Sequence, residues 1–219
     1  MIKNQTAQII TSGQMKEIIS AVVEAIPANM DFDTAQYWIG RKRKLGSKIK
    51  EVFIKSTYII DLLAEWEGFY QDIFGIKADS SNLQIPEKEP GFNRLIIIAE
   101  GMTPQRLYDK CGELFPCWKW ASATLDNLVT YSERTSKNGA YAIWVRDYVE
   151  ADEEFKNLSA DKIKAKNITT ETLEERLLHE LKFFRETGEH LDIENITICT
   201  GLRYPKDSVL AVSWVSGKL

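Results

Sequence analysis

Apolar residues recur at three- and four-residue steps through the first third of the chain and in short unbroken runs farther on, so helices are expected first and strands later. Met15, Ile18, Ile19, Val22, Val23 and Ile26 share one helical face. Thr11 and Gln14 form a capping pair ahead of them, and Pro27 stops the continuation. A second helix is predicted from Asp33, with Gln36 as capping partner and Ala35, Trp38 and Ile39 on one side, ending near Gly46. From Ser47 a third pattern carries Ile49, Val52, Phe53, Ile59, Ile60, Leu63, Tyr70, Ile73 and Phe74 to Gly75. That length exceeds an ordinary helix, and a break is expected near Ser56-Thr57.

Residues 78 to 90 are polar and punctuated by Pro86 and Pro90, which cannot continue a helix. The chain therefore divides into a helical module over 1–77, a linker over 78–93 and a second domain over 94–219. In that domain Arg94-Leu-Ile-Ile-Ile-Ala99 has the continuous apolar character of a covered strand. Thr103 as N-cap and Pro104 as first helical residue then start a helix through about Leu114. Cys117 to Trp120 and Leu128 to Tyr131 are shorter strand candidates around a polar turn at Asp126-Asn127.

The clearest punctuation runs from Tyr141 to Thr200. Tyr141-Ala-Ile-Trp-Val-Arg146 follows a turn at Ser136 to Gly139 and has strand composition. Leu173, Leu177, Leu178, Leu181 and Phe184 make an apolar helical stripe, opened by a capping box at Thr172 and Glu175 and closed by Gly188. Ile196 to Cys199 is a short buried strand and Val209 to Val215 a last one. The order β, α, β, β, β, α, β, β lacks strict βαβα alternation, so the fold class is α+β: an N-terminal helical module followed by a mixed α+β domain.

At 219 residues and 44% hydrophobic the chain can bury a sizeable core, which excludes disorder throughout. The net charge of -4 is uneven. Residues 1–60 hold nine Lys or Arg against five acids, and the rest is correspondingly acidic, so attraction to nucleic acid is expected from the first third. Cys111, Cys117 and Cys199 lack metal-ligand spacing and are expected to be reduced, mostly buried thiols. No apolar run approaches the roughly 20 residues that span a bilayer, and the N-terminus lacks a secretory core, so no membrane partner and a cytoplasmic location are expected.

Candidate chemistry is sparse. Glu150, Asp152, Glu153 and Glu154 lie just beyond Asp147 at a strand end, where Asp147, Glu150 and Asp152 could hold a divalent metal or act as acid and base. A solvated acidic turn is the simpler reading. His179-Glu180 is not followed by the second histidine of a zinc-protease helix, and no nucleophile elbow, phosphate loop or dinucleotide fingerprint is present. Arg41, Lys42, Arg43 and Lys44, followed by Lys48, Lys50 and Lys55, could sit on a phosphate backbone or form a solvated helix face. Trp118, Trp120, Trp144 and Trp214 gather in the second domain with Tyr141, Tyr148 and Tyr204, as core or as the floor of a binding surface.

Two phrases carry a resemblance. Ala35-Gln-Tyr-Trp-Ile-Gly40 through Leu45-Gly46 to Val52-Phe53 is one. The other is Tyr141 to Asp147 with Glu150-Ala-Asp-Glu153, Asn157-Leu-Ser-Ala160 and Gly188-Glu-His-Leu-Asp192. Together they resemble uncharacterised proteins predicted from genomes of uncultured, small-genome bacteria. In those relatives the Thr200-Gly-Leu-Arg203 region leads through a Trp-containing strand into a segment of changing Trp, Tyr, Asp, Asn and Arg content. That pattern is similar to the C-type-lectin-like variable proteins diversified by retroelements. The resemblance implies a C-type-lectin-like topology in which the strands around Tyr141, Ile196 and Val209 share a sheet with aromatic side chains on an open face. The sequence given stops at Leu219, before such a segment, which would leave the Val209 to Val215 strand as an edge suited to homo-oligomer pairing.

The functional expectation is a non-enzymatic scaffold that binds a protein or small-molecule ligand without a cofactor, with Trp144, Tyr204 and Trp214 as ligand-contacting candidates. The alternatives are a metal-dependent enzyme using Asp147, Glu150 and Asp152, or nucleic-acid binding through Arg41 to Lys55.

Overall fold

A computed structural model describes residues 10–80, 82–204 and 208–219, and side chains there except at 54–57. The chain falls into two compact units divided between Tyr58 and Ile59.

The first unit is helical. In α1 (Ser12–Glu24) the Thr11 backbone N–H donates to Gln14 Oε1 at 2.8 Å and Gln14 N–H to Thr11 Oγ1 at 3.2 Å, the expected capping box. The next helix, α2 (Phe32–Ile39), starts earlier than Asp33 because Asp31 caps it, its carboxylate accepting from Thr34 N–H at 2.8 Å. It ends at Gly40, so Gly46 lies inside the following helix, α3 (Lys42–Phe74). No residue of α1 or α2 is buried, and Ile19, Val23 and Phe32 are exposed.

The 33 residues of α3 form one helix with no break at Ser56-Thr57. Ser and Thr cost a helix only some tenths of a kcal/mol each and, unlike Pro, remove no backbone donor. Its last turns belong to the second unit. Trp66, Phe69 and Tyr70 are buried there, with Trp66 Nε1 donating to Leu95 O at 3.2 Å and Tyr70 Oη to Ile97 O at 2.7 Å. The division thus falls ahead of the expected 78–93 linker. The described residues of that linker form no helix or strand but are tied to the second unit, where Trp144 Nε1 donates to Pro86 O at 3.0 Å and Leu83 and Ile85 pack on the core.

The second unit is α+β with two small antiparallel sheets. Strand β1 (Arg94–Ile98) pairs with β3 (Tyr141–Val145), Ile96 opposite Ile143, and Leu95 to Ile98 are all buried. The other sheet has the order β2-β4-β5, from β2 (Tyr131–Ser132), β4 (Thr197–Tyr204) and β5 (Ser208–Val212). The strand at Tyr141 and the strands after Thr197 therefore lie in different sheets, not in the single sheet that the lectin resemblance implies. Trp214 falls beyond β5.

Among the helices, α4 (Pro104–Leu114) has its predicted Thr103 cap and α7 (Leu173–Thr187) its predicted capping box, with Gly188 in the left-handed region at φ 74°. Two expected strands are corrected. Cys117 to Trp120 is irregular, and the Asp126-Asn127 turn lies in a short helix, α5 (Leu125–Leu128), which leaves only Tyr131-Ser132 extended. The reason is tertiary: Asp126 accepts from Thr103 Oγ1 at 2.9 Å and from Gln105 N–H at 3.0 Å, which ties this helix to the start of α4. A further short helix, α6 (Ala160–Ala165), is capped by Ser159 and buries Ile163.

Candidate functional site

Sequence periodicity assigns α7 one apolar face, yet Glu174, Glu175, Arg176, His179, Glu180 and Lys182 on its remaining faces are buried as well. A buried charge is tolerated only when it is paired and hydrogen-bonded. The pairing here is dense. Arg176, 1% exposed, donates from Nη1 to Glu180 Oε2 at 2.9 Å and from Nε and Nη2 to Asp192 Oδ2 at 3.0 and 2.8 Å. Burial disfavours this guanidinium, but Asp192 and Glu180 outweigh it and hold its pKa above the ordinary value. Asp192 itself sits at φ 56°.

Glu180 also meets His190 Nδ1 at 2.7 Å and accepts from Leu191 N–H at 3.3 Å. The His190 ring stacks on Trp214, with centroids 3.4 Å apart, and on Phe184 at 4.9 Å, and it meets Phe115 in an edge contact. Trp214, half-buried, thereby covers the imidazole that meets Glu180.

In the first turn of α7, next to Arg176, Glu175 makes a bidentate pair with Arg134, whose Nε donates to Oε1 at 2.6 Å and Nη2 to Oε2 at 2.8 Å, and Arg134 Nη2 also donates to Thr170 O at 2.6 Å. Glu174 accepts from Ser136 N–H at 2.8 Å and Thr135 Oγ1 at 3.1 Å, although burial raises its pKa. Burial, then the charge of Glu175, pushes the Tyr141 phenol up. His179 meets Glu171 at 3.1 Å; burial pushes the Glu171 carboxyl up, but His179 outweighs it and the pKa is lowered. Strand β4 crosses close by at Gly201, where an added Cβ would stand 3.2 Å from Thr170 O and from Thr172 Cγ2. Among the described residues, Ser136 Oγ, Tyr141 Oη and His179 Nε2 are buried without a partner.

Perturbed ionisable groups concentrate at functional sites when a cleft reaches them. The two cavities described, about 570 and 370 Å³, are lined by Glu67, residues 76–80, Asn82, Leu83, Ala99, Glu100 and Ala140, and no residue of the α7 cluster borders either. The cluster is a sealed polar core that fixes α7, β4 and the Asp192 turn to one another.

The acidic triad is dispersed into separate pairings. Asp147 takes Arg94 Nε at 2.7 Å, and Asp152, raised by burial, lies 3.3 Å from Arg146 Nη1. Glu150 accepts from three successive backbone N–H groups, Ile193 at 3.1 Å, Glu194 at 3.1 Å and Asn195 at 2.9 Å. Among the described residues, no group of three or more His, Cys, Asp or Glu could hold a metal ion.

The basic run occupies the entry to α3. Arg41 stacks over the Tyr37 ring at 4.1 Å and Lys44 donates to Tyr37 Oη at 3.4 Å, while Arg41, Lys42, Arg43, Lys44 and Lys48 are all exposed. No acidic residue stands in that first turn, so these charges meet the positive end of the helix macrodipole. The side chain of Lys55 lies outside the described residues.

The aromatic candidates separate cleanly. Trp144 is engaged by Pro86 and by Lys88 Nζ 5.2 Å over its ring, and Trp214 by His190. Tyr204, at the end of β4, makes an edge contact at 5.2 Å with Trp120, which is 57% exposed. Tyr131, also 57% exposed, pairs in β2 with Arg203 beside it. Trp118, at 61%, and Trp120 come from the stretch assigned to a strand, and their irregular backbone lets both side chains face outward. No helix among the described residues is long and apolar enough to cross a membrane.

Compared with protein-family models, curated proteins and solved structures, the chain finds no match.

A pH dependence follows from the α7 salt bridges. Glu186 is pushed up by burial, but Lys182 at 2.8 Å and Arg94 at 2.5 Å hold its pKa below the ordinary 4.5. A carboxyl whose folded pKa is lowered stabilises the fold above its unfolded value and loses that contribution as pH falls through the folded one. Urea midpoints taken from neutral pH down to about pH 3 are expected to fall below about pH 4.5, and Glu186→Gln is expected to flatten part of that decline. An unchanged profile in the variant counts against this coupling.

Proposed function

We propose that the second unit is a non-enzymatic protein-binding module whose contact surface centres on the Trp120–Tyr204 pair. The observation that carries this reading is the exposure of Trp118, Trp120 and Tyr131 around the Tyr204 edge contact. Large aromatic surface left in water is unfavourable, and Trp and Tyr dominate the contacts that carry binding energy. Beside them β5 is an end strand of its sheet, which offers backbone groups to an added strand. A polypeptide fits such a surface better than a small molecule, because neither described cavity is lined by these aromatics. The resemblance to variable ligand-binding proteins points to the same functional class. An enzymatic reading would need perturbed ionisable groups gathered at an accessible cleft, whereas Glu174, Arg176 and Glu171 are shifted inside the buried cluster and Asp152 is shifted apart from it.

The test is selection of peptides from a random display library on the full chain, followed by affinity measurement. Trp120→Ala and Tyr204→Ala are each expected to weaken selected peptides about tenfold or more, with unchanged circular dichroism. Selected peptides that bind both variants as well as the parent chain, or a failure to select any, would overturn the reading. The exposed basic entry of α3 favours a second reading, nucleic-acid contact. That reading predicts oligonucleotide binding that weakens steeply with salt and on neutralising Arg41, Arg43 and Lys44.

A further inference from the structure

Among the described residues from 10 to 58, none is buried, although they belong to a compact unit. The helices there lack what ordinarily holds a helix together. An isolated helix shorter than about 12–15 residues is marginal in water and takes its stability from packing of an apolar face. Helix α1 has 13 residues and α2 has 8. Met15, Ile19, Val23 and Ile26 share one face of α1, and Phe32 and Ile39 share one face of α2. These six side chains are 44% to 74% exposed, Phe32 the most.

The exposed large apolar side chains of this unit present on the order of 1,000 Å² to water, against the roughly 800 Å² that each partner buries in a stable interface. The charges around α2 indicate what covers them. Asp31 and Asp33 flank Phe32 at its start, while Arg41, Lys42, Arg43 and Lys44 follow Ile39 at its end, and all six charges are exposed. One end is negative and the other positive, about 12 Å apart at 1.5 Å per residue. An antiparallel helix of the same sequence sets each acidic start against a basic end and each Phe32 against the Ile39 of the other copy. That self-complementarity is what a two-fold axis requires. An anionic lipid surface would instead meet two carboxylates beside the most exposed apolar residue, and a nucleic acid would leave Phe32 and Ile39 in water.

We propose that the first unit is a homodimerisation module, in which α2 pairs antiparallel with α2 of a second copy of this chain and α1 adds its apolar face to the shared core. The pairing is independent of the peptide surface on the second unit.

The test is sedimentation equilibrium of the full chain over a concentration series. The expected result is the mass of two chains, with a dissociation constant that Ile19→Glu combined with Phe32→Glu raises about a hundredfold or more. Two charge variants identify the partner without altering the apolar faces. Asp33→Lys, and Lys42→Glu combined with Arg43→Glu, are each expected to self-associate more weakly than the parent chain, and an equimolar mixture of the two to pair more tightly than either alone. A monomeric parent chain, a dimer that the apolar variant leaves unchanged, or a mixture no tighter than its components overturns the proposal. Binding of a monomeric parent chain to phosphatidylglycerol vesicles, lost in the apolar variant, assigns the face to a lipid surface and overturns it too.

Discussion

Arg176→Ala is expected to be the most damaging single change in the second unit, costing about 3–5 kcal/mol, because it leaves Glu180 and Asp192 buried with no cation between them. In a domain of this size that is a fall in Tm of the order of 10 °C, readable by calorimetry. The cost measures a broken network more than the worth of the ion pairs. A Tm within about two degrees of the parent chain for Arg176→Ala would show that water reaches the cluster and that it is not the sealed core described above.

Tyr70→Ala stands next. The Tyr70 ring packs against Trp66, Phe69 and Phe74, and its hydroxyl both donates to Ile97 O at 2.7 Å and accepts from Ala99 N–H at 2.9 Å. Losing the ring opens a cavity worth about 3–5 kcal/mol. Losing only the hydroxyl, as in Tyr70→Phe, orphans two buried backbone groups at about 1–3 kcal/mol each. Urea unfolding midpoints are expected to rank parent above Tyr70→Phe above Tyr70→Ala. Equal midpoints for the two variants would place the stabilisation in the hydroxyl alone. The same contacts predict that a chain beginning near Ile59 keeps its second unit folded, whereas one beginning at Ala78 does not.

That expectation marks where sequence pattern and folded chain part company. The periodicity through Ile73 and Phe74 identified the helix correctly, but periodicity reports which face is apolar and not which core receives it. A proline-rich stretch is a natural place for a boundary, yet Trp66 and Tyr70 commit the preceding turns to β1. Most capping signals held: Thr11 and Gln14, Thr103 and Pro104, Thr172, Glu175 and Gly188 all stand where capping chemistry requires, whereas the Asp33–Gln36 pair gave way to Asp31. Composition alone was a weaker guide. Cys117 to Trp120 has strand composition, but its two tryptophans face solvent and Leu219 holds its backbone.

The buried face of α7 was the least legible part. Glu174, Arg176, His179, Glu180 and Lys182 spell a solvated helix face to any pattern argument, since charge is ordinarily exposed. What buries them is distant in sequence: Arg134, Ser136, Asp192 and Glu65.

Glu150 carries a last consequence. The acidic run beyond β3 suggested a place for a cation, yet around this carboxylate the polarity is reversed: the backbone of Ile193, Glu194 and Asn195 presents three amide hydrogens to it. Successive amides converging on one point form a receptor for negative charge. The protein supplies its own anion to that receptor, so the turn beside β4 is held by an internal guest, and its vacancy would invite phosphate or carboxylate from solution.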